Sequence, residues 1–226
     1  MKRSEINTII KDAKAFLDEY KFKLPKWAHW SLDEWKIETG KYDEIVDNAM
    51  GWDITDFGSG NFNQRGLFLF TLRNGNLKEK NKLYAEKIMI VEEGQETPMH
   101  FHWNKQEDII NRGGGNLVIQ LYQATDQEQL GQDPLTVKID SYPVEVIAGG
   151  EIILEPGDSI CLEPYMYHRF YGEKGKGKVL VGEVSSVNDD NADNRFYEPV
   201  GRFPEIEEDM EPLHLLVSDY AKFLSK

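Results

Sequence analysis

Cysteine is almost absent from this sequence: its 226 residues include one, Cys161. A single cysteine excludes an internal disulfide and is typical of proteins kept in a reducing compartment, so we expect a cytoplasmic location. Long apolar runs are missing as well, since none approaches the roughly 20 residues that a membrane-spanning helix needs. Charged residues interrupt the first 22 positions throughout, which differs from the apolar centre of a signal peptide. We therefore expect no membrane partner.

Basic residues are the second scarcity. The chain has 26 lysines and arginines against 40 aspartates and glutamates, for a formal net charge of −14. A negative field repels phosphate backbones, so nucleic acid is not an expected partner, and a neutral small molecule is easier to bind than a phosphorylated one. With 40% hydrophobic and 29% charged residues, the composition is that of a globular protein with one well-filled core.

The start of the chain has the pattern of helices. From Ser4 to about Tyr20, apolar residues recur with the 3.6-residue period of an amphipathic helix. Ser31 and Glu34 have the spacing of a capping box, which predicts a second, short helix. Residues 48–65 are rich in Gly, Asn and Asp, so we predict a long structured loop there.

The middle of the chain has a different pattern. Short β-rich runs divided by Gly, Pro and Asp extend over about 66–187, without long helices between them, and this is typical of a sandwich or barrel. The last fifteen residues return to a helical pattern. We therefore predict one domain over 1–226, with a helical N-terminal extension over about 1–65, a β core, and a C-terminal loop and helix over about 188–226.

Two of the five histidines, His100 and His102, lie one residue apart in a strand-like segment, and Glu107 follows closely. Alternate side chains of a strand point to the same face, so the two imidazoles share one face and Phe101 points the other way. Imidazole together with carboxylate suits Mn, Fe, Co, Ni or Zn. The spacing alone leaves three interpretations open: a metal site, a solvated pair, or a buried polar network.

A third histidine stands in a comparable position. His168 follows a Pro-Gly-Asp turn, an apolar strand-like run and Pro164. A histidine at a strand end could complete a four-ligand cluster with the earlier pair and Glu107. These two segments resemble the two signature motifs of the cupin superfamily. The first motif, G-x5-H-x-H-x3-4-E-x6-G, is matched at Gly94, His100, His102, Glu107 and Gly114.

The second cupin motif, broadly G-x5-P-x-G-x2-H, is matched more loosely. Gly150 and Pro156 fit it, but the turn reads PGD and His168 lies further along. The resemblance implies an all-β core folded as a cupin double-stranded β-helix, or jelly-roll barrel, with flanking N- and C-terminal helices. It also implies a metal centre with two or three positions left open for a ligand. The implied protein ligands are His100, His102, Glu107 and His168.

A narrower resemblance covers nearly the whole chain. Five separated segments together look like the D-lyxose isomerase family of cupins: WAHWSLDEW, GWDITDFGSG, PMHFHWNKQEDIINRGGG, EPYMYHRF and SSVNDDNADNRFYEPVGRFPEIEED. Members interconvert D-lyxose and D-xylulose and also act on D-mannose and D-fructose, using a divalent metal. The resemblance thus implies a metal-dependent aldose–ketose isomerase, with a neutral monosaccharide as ligand and a homodimeric assembly. Mn²⁺ is the first expectation for the metal, with Zn, Co, Fe and Ni as alternatives.

An isomerase of this kind needs a Lewis acid for the sugar oxygens and a group that moves a proton between C1 and C2. The resemblance assigns a catalytic role to Lys105, which lies between two of the implied ligands. A second catalytic carboxylate is expected from the C-terminal segment, and we favour Glu198, for which a surface ion pair is the alternative. The expected substrate contacts are Asp190, Arg195, Trp103 and Phe57.

Two other functions use the same features. An iron-dependent cupin dioxygenase would have the same four ligands, and a non-catalytic sugar-binding cupin would bind metal and sugar without turnover. Proton transfer through an enediol and a metal-assisted hydride shift both remain open at this point.

Overall fold

Two antiparallel β-sheets pack face to face and enclose a core of aliphatic side chains. The computed structural model describes residues 1–38, 40–78, 82–187, 189 and 192–224. In chain order the strands are β1 (Gly51–Thr55), β2 (Leu67–Arg73), β3 (Tyr84–Val91), β4 (Thr97–Phe101), β5 (Glu107–Gly114), β6 (Leu117–Gln123), β7 (Leu135–Ile139), β8 (Tyr142–Val146), β9 (Glu151–Leu154), β10 (Ser159–Leu162), β11 (Met166–Gly172), β12 (Val179–Ser186) and β13 (Arg195–Phe196).

The strands divide between the sheets in a jelly-roll manner. One sheet has the order β1-β2-β3-β12-β5-β10-β7-β8, and the other has the order β13-β4-β11-β6-β9. Side chains of both sheets meet in one cluster, with Leu69, Ile109 and Val181 from the first and Ile119 and Phe170 from the second. The predicted all-β core is confirmed, as two facing open sheets among the described residues.

Helices flank this core as expected. They are α1 (Arg3–Glu19), α2 (Leu32–Ile37), α3 (Asp43–Asp47) and α4 (Tyr220–Phe223), with 3-10 turns at Lys26–His29 and Val217–Asp219. The predicted first helix is confirmed, and its apolar stripe, which includes Ile6 and Ile10, packs against the outer face of the larger sheet. The capping box of α2 is also confirmed: the Glu34 N–H donates to Ser31 Oγ and the Ser31 N–H donates to Glu34 Oε2. Within the described residues, none of the helices combines the length and apolar character needed to cross a bilayer.

Two predictions of local structure were wrong. The predicted loop over 48–65 contains β1, which pairs with β2 and is buried along its whole length. Its apolar residues Trp52 and Ile54 face α1, whereas Asp53 is also buried. Because Asp53 is polar although it is buried, the sequence of β1 lacks the continuous apolar run that predicts a buried strand. The C-terminal helix is much shorter than predicted, because Leu215 and Leu216 are buried in an extended segment and helical structure begins only at Val217.

The two ends of the described chain are joined by a buried ion cluster. Arg3, in the first turn of α1, is fully buried and donates to Glu208 and Asp219, with N–O distances of 2.7–2.9 Å. The Met1 ammonium donates to the Glu205 carbonyl at 2.8 Å. We call these contacts of Met1 and Arg3 the Arg3 clasp. They hold the segment 205–219, which follows Arg202 in the chain.

Candidate active site

The four predicted metal ligands come together between the two sheets. His100 in β4 and His168 in β11 are directly paired across the smaller sheet. Glu107 is the first residue of β5 in the larger sheet, and His102 lies just after β4. All four residues are buried, with exposed fractions between 1% and 8%. The short link from β4 to β5 therefore carries ligands from one sheet to the other.

Main-chain carbonyl groups orient all three imidazoles. His100 Nδ1 lies 2.8 Å from the Pro98 carbonyl oxygen, His168 Nδ1 lies 3.0 Å from that of Met166, and His102 Nδ1 lies 2.6 Å from that of Asp193. Because a carbonyl can only accept, each Nδ1 carries a hydrogen, and in the neutral ring Nε2 then keeps its lone pair. One ring nitrogen from each histidine lies within 4.8 Å of the others. Such outer hydrogen bonds are typical of histidines that bind metals.

Burial keeps two of these imidazoles, those of His100 and His102, neutral. It holds the pKa of His100 well below its usual value, and the neighbouring His168 and His102 act in the same direction. Burial also lowers the pKa of His102, followed by the charge of Lys105. Metal binding requires deprotonated imidazole, so His100 and His102 are already in the required state near neutral pH.

Glu107 faces both the histidines and Lys105. Its Oε1 lies 3.1 Å from His168 Nε2 and 3.5 Å from His102 Nε2, while its Oε2 lies 2.6 Å from Lys105 Nζ. Burial alone would raise the pKa of Glu107, but the charge of Lys105 outweighs it, with His102 and His168 acting in the same direction, and holds that pKa well below its usual value. The carboxylate is therefore ionised.

The donor set fits a divalent transition metal. His102 Nε2 is buried and has no hydrogen-bond partner, an arrangement that is costly for a polar atom unless a ligand fills the place. Imidazole and carboxylate groups are donors that such ions prefer. The buried group of His100, His102 and His168 can hold a metal ion.

A second carboxylate, Glu183, joins this cluster. Its Oε1 lies 3.2 Å from Lys105 Nζ and 3.0 Å from Lys87 Nζ, and the side chains of all three residues are at most 5% exposed. Glu183 and Lys87 are opposite each other in the pairing of β12 with β3. Together with Glu107, they form a buried row of alternating charge, Lys87–Glu183–Lys105–Glu107.

Sequence reasoning missed Glu183 and Lys87, although a signal for them exists. Each occupies an inward-facing position of a strand whose other inward residues, such as Met89 and Val181, are apolar and buried. A charge on the apolar face of a strand is unusual unless it is paired. That pattern could have marked both residues.

These groups line a cavity with about 450 Å³ of empty space. Phe57, a predicted substrate contact, forms part of its wall and packs against Phe196 at 5.8 Å between ring centroids. Arg202 also lines the cavity, and its Nη2 donates to Asp53 Oδ2 at 2.7 Å. An aromatic wall beside a row of polar groups suits a small polyhydroxylated molecule.

The predicted catalytic residue Glu198 and two predicted substrate contacts, Trp103 and Arg195, do not reach this cavity. The side chain of Glu198 is 64% exposed and lies 3.4 Å from Arg65, so it forms the surface ion pair that was its alternative. Trp103 Nε1 and Arg195 Nε each donate to Glu128 at 2.8 Å, and these bonds lower the pKa of Glu128. None of the three lines the cavity. The predicted contact Asp190 lies outside the described residues.

Comparison with known proteins gives a consistent family. A family model described as D-lyxose isomerase matches residues 1–220. A D-lyxose/D-mannose isomerase of Serratia proteamaculans is 48% identical over 228 residues, covering 100% of both chains. The protein of the same name from Escherichia coli O157:H7 is 48% identical over 226 residues, covering 99% of this chain and 100% of that one.

Solved structures show the same architecture at lower identity. The L-ribose isomerase of Cellulomonas parahominis has a TM-score of 0.63 at 15% identity, covering 92% of this chain and 98% of its own. A mutant L-ribose isomerase of Acinetobacter sp. DL28 in complex with L-ribose has a TM-score of 0.61 with the same identity and coverage. At this identity the likeness establishes the fold alone, and the expected cupin fold with flanking helices is confirmed.

Proposed function

The chain belongs to the D-lyxose isomerase family and is an aldose–ketose isomerase, and we propose that it interconverts D-lyxose with D-xylulose and D-mannose with D-fructose. The relatives' printed names support this choice of sugars. The observation that carries the proposal is the convergence of three imidazoles and two carboxylates around Lys105 in one cavity. We propose that residues 1–226 act as one catalytic domain.

We propose that His100, His102, His168 and Glu107 hold a divalent metal, with Mn²⁺ ahead of Zn, Co, Fe or Ni. The oriented Nε2 atoms, the buried His102 Nε2 without a hydrogen-bond partner, and the ionised Glu107 support this ligand set. When bound, the metal supplies Lewis acidity that polarises the C1 and C2 oxygens of the open-chain sugar.

Glu183 takes the role that the sequence gave to Glu198. It is buried, lines the cavity and lies within 3.2 Å of two ammonium groups, whereas Glu198 is at the surface. We propose that the Glu183 carboxylate removes the proton from C2 of the aldose and returns it to C1, which converts the aldose to the ketose. Proton transfer by a positioned carboxylate typically contributes about 10²–10⁴-fold to the rate.

Lys105 serves the oxygens in the same scheme. Its Nζ lies 2.6 Å from Glu107 and 3.2 Å from Glu183, inside the same cavity. It donates a proton to O1 as the double bond between C1 and C2 forms, and it regains one from the O2 hydroxyl as the ketose carbonyl forms. The net change is one proton moved from C2 to C1 and one from O2 to O1.

The charges of the cavity favour an unphosphorylated sugar. Lys87 and Lys105 face Glu183, and Arg202 faces Asp53, so each of these cations already contacts a carboxylate. A phosphate group would compete with these carboxylates and add negative charge to a chain of −14. A neutral monosaccharide suits this site.

We also propose that the protein is cytoplasmic and forms a homodimer. Light scattering after size exclusion tests the homodimer directly.

The decisive experiment is turnover by metal-stripped protein before and after addition of Mn²⁺. We expect ketose from D-lyxose and D-mannose only after metal is restored, with deuterium from heavy water incorporated at C1 of the product. The absence of ketose from these and other free pentoses and hexoses, with metal shown to be bound, contradicts the proposal. The relatives support neither alternative function, and oxygen consumption or sugar binding without turnover in the same samples would point to one of them.

A further inference from the structure

Asp193 lies between β12 and β13, is 8% exposed, and binds the link that joins β4 to β5. Its Oδ1 accepts the main-chain N–H of Asn104 at 2.9 Å and the Asn104 side-chain amide at 3.1 Å. Its Oδ2 accepts the main-chain N–H of Lys105 at 2.8 Å. Its main-chain carbonyl is the group that accepts from His102 Nδ1 at 2.6 Å. Asp193 therefore contacts His102, Asn104 and Lys105 of the candidate site.

The link needs such support because it is not a strand. Residues 102–106 fall between β4 and β5, so the Asn104 and Lys105 N–H groups have no ladder partner and donate to Asp193 instead. Hydrogen bonds to an ionised carboxylate are roughly twice as strong as bonds between neutral groups. The position of the Lys105 main chain therefore depends on the Asp193 carboxylate.

That position decides where the Lys105 ammonium lies. The side chain runs from this link to Glu107 at 2.6 Å and to Glu183 at 3.2 Å. We propose that Asp193 is a positioning residue for the isomerisation: its carboxylate fixes the main chain that aims Lys105 between the two glutamates, and its carbonyl fixes the His102 ring. This inference rests on the roles proposed above for Lys105 and Glu183.

The side-chain and main-chain contacts of Asp193 can be distinguished by substitution. The carbonyl remains whichever side chain is present, so His102 keeps its hydrogen-bond acceptor in any variant that folds. The carboxylate contacts are lost completely in Asp193→Ala. Asp193→Asn retains one oxygen for the two donors of Asn104 and places an amide where Lys105 N–H needs an acceptor. The side chain therefore controls the lysine, whereas the main chain controls the histidine.

Asp209 offers a matched control. Its carboxylate also accepts two hydrogen bonds, from the N–H and hydroxyl of Ser4 at 2.9 and 2.7 Å, and it lies outside the cavity lining. Asp209→Ala removes the same kind of interaction from the same C-terminal region. We expect its kcat to stay within about twofold of the wild-type value, as for most surface changes.

The first measurement is amide hydrogen exchange in metal-free protein, which needs no turnover. In Asp193→Ala, peptides that contain residues 103–106 should exchange faster than in wild type, whereas Asp209→Ala should leave them unchanged. The second measurement is kinetics with saturating Mn²⁺ and D-lyxose. We expect Asp193→Ala to lower kcat by about 100-fold with little change in KM, the size of a misplaced catalytic group. Asp193→Asn should lower kcat by about tenfold, and metal content should stay at the wild-type level in both.

The outcomes separate the inference from the proposed function. Ketose formation by wild type is measured first, and its absence contradicts the function itself. With active wild type, unchanged exchange at 103–106 in Asp193→Ala overturns the positioning role. Faster exchange with normal kcat overturns it as well, and so does a loss of activity that follows the loss of bound metal. If Asp193→Ala does not fold, hydrogen exchange, kcat and metal content are measured on Asp193→Asn, and the same outcomes support or overturn the positioning role.

Discussion

Lys105 and Glu107 are two positions apart in the chain, and their side chains meet in the buried interior with 2.6 Å between Nζ and Oε2. Glu107 therefore faces the histidines through one oxygen and the lysine through the other. This arrangement couples the proposed metal centre to the proposed acid–base pair through a single carboxylate. Substitution can distinguish the two proposed roles, metal binding by Glu107 and proton transfer by Lys105.

Lys105→Ala should abolish most activity while leaving the metal in place. The lysine holds no ligand position, so we expect normal metal content by elemental analysis and a kcat lower by about 10²–10⁴-fold. His102→Ala removes a proposed ligand, and it should lose metal first and activity as a consequence. Normal turnover by Lys105→Ala would remove the lysine from the mechanism.

Glu183→Gln and Glu198→Gln test which carboxylate acts as the base. The amide of Glu183→Gln cannot accept a proton from C2, so kcat should fall by at least about 100-fold. Glu198 is exposed, and its ion pair with Arg65 contributes at most about 1 kcal/mol, so Glu198→Gln should remain near wild type. Steady-state assays with D-lyxose measure both, and the reverse order of effects contradicts the assignment of Glu183.

Arg3→Ala should strongly destabilise the fold. Arg3 is fully buried, and its removal leaves Asp219, itself only 4% exposed, without its buried partner. Breaking a buried ion pair typically costs about 3–5 kcal/mol. Urea unfolding should show this loss, whereas Lys23→Ala, which removes an exposed pair with Asp18, should leave the free energy of unfolding nearly unchanged.

Lowering the pH should destabilise the fold through His214. Its ring stacks on Trp52, and its Nε2 accepts a hydrogen bond from Lys14 Nζ. Burial, ahead of the opposing hydrogen bond to the Trp30 carbonyl, lowers the pKa of His214 to about 4. The unfolded chain protonates this residue below about pH 6.5 while the folded chain resists, so the free energy of unfolding falls as pH drops from 6.5 towards 4. Relative to His214→Gln, wild type should lose about 2 kcal/mol more between pH 7 and pH 5 in urea titrations. Parallel pH curves for the two proteins would contradict this.

The predicted ligands could be found from the sequence because their spacing is local. His100, His102 and Glu107 lie within eight residues, and strand alternation alone puts the two imidazoles on one face. The lysine between them follows from the same segment. Family resemblance added His168, whose pairing with His100 is a contact between distant strands.

The proposed catalytic carboxylate could not be chosen in this way. Glu183 meets Lys87 through the register of β12 on β3, which depends on the whole sheet and not on nearby residues. The C-terminal segment that supplied Glu198 is rich in acidic residues, and its sequence has no feature that shows which of them face inward. The C-terminal helix was overestimated for a related reason, since Leu216 lies beside Trp52 in an extended bridge and tertiary packing overrides the helical period.

The Arg3 clasp also bears on how the start of the chain can be altered. Arg3 holds Glu208 and Asp219, and Arg202, on the wall of the cavity, lies six residues before Glu208. A peptide fused ahead of Met1 leaves an N–H for the bond to the Glu205 carbonyl. Trimming three residues removes the guanidinium and releases the segment that begins at this wall. Extension of the amino terminus should therefore be tolerated far better than its shortening.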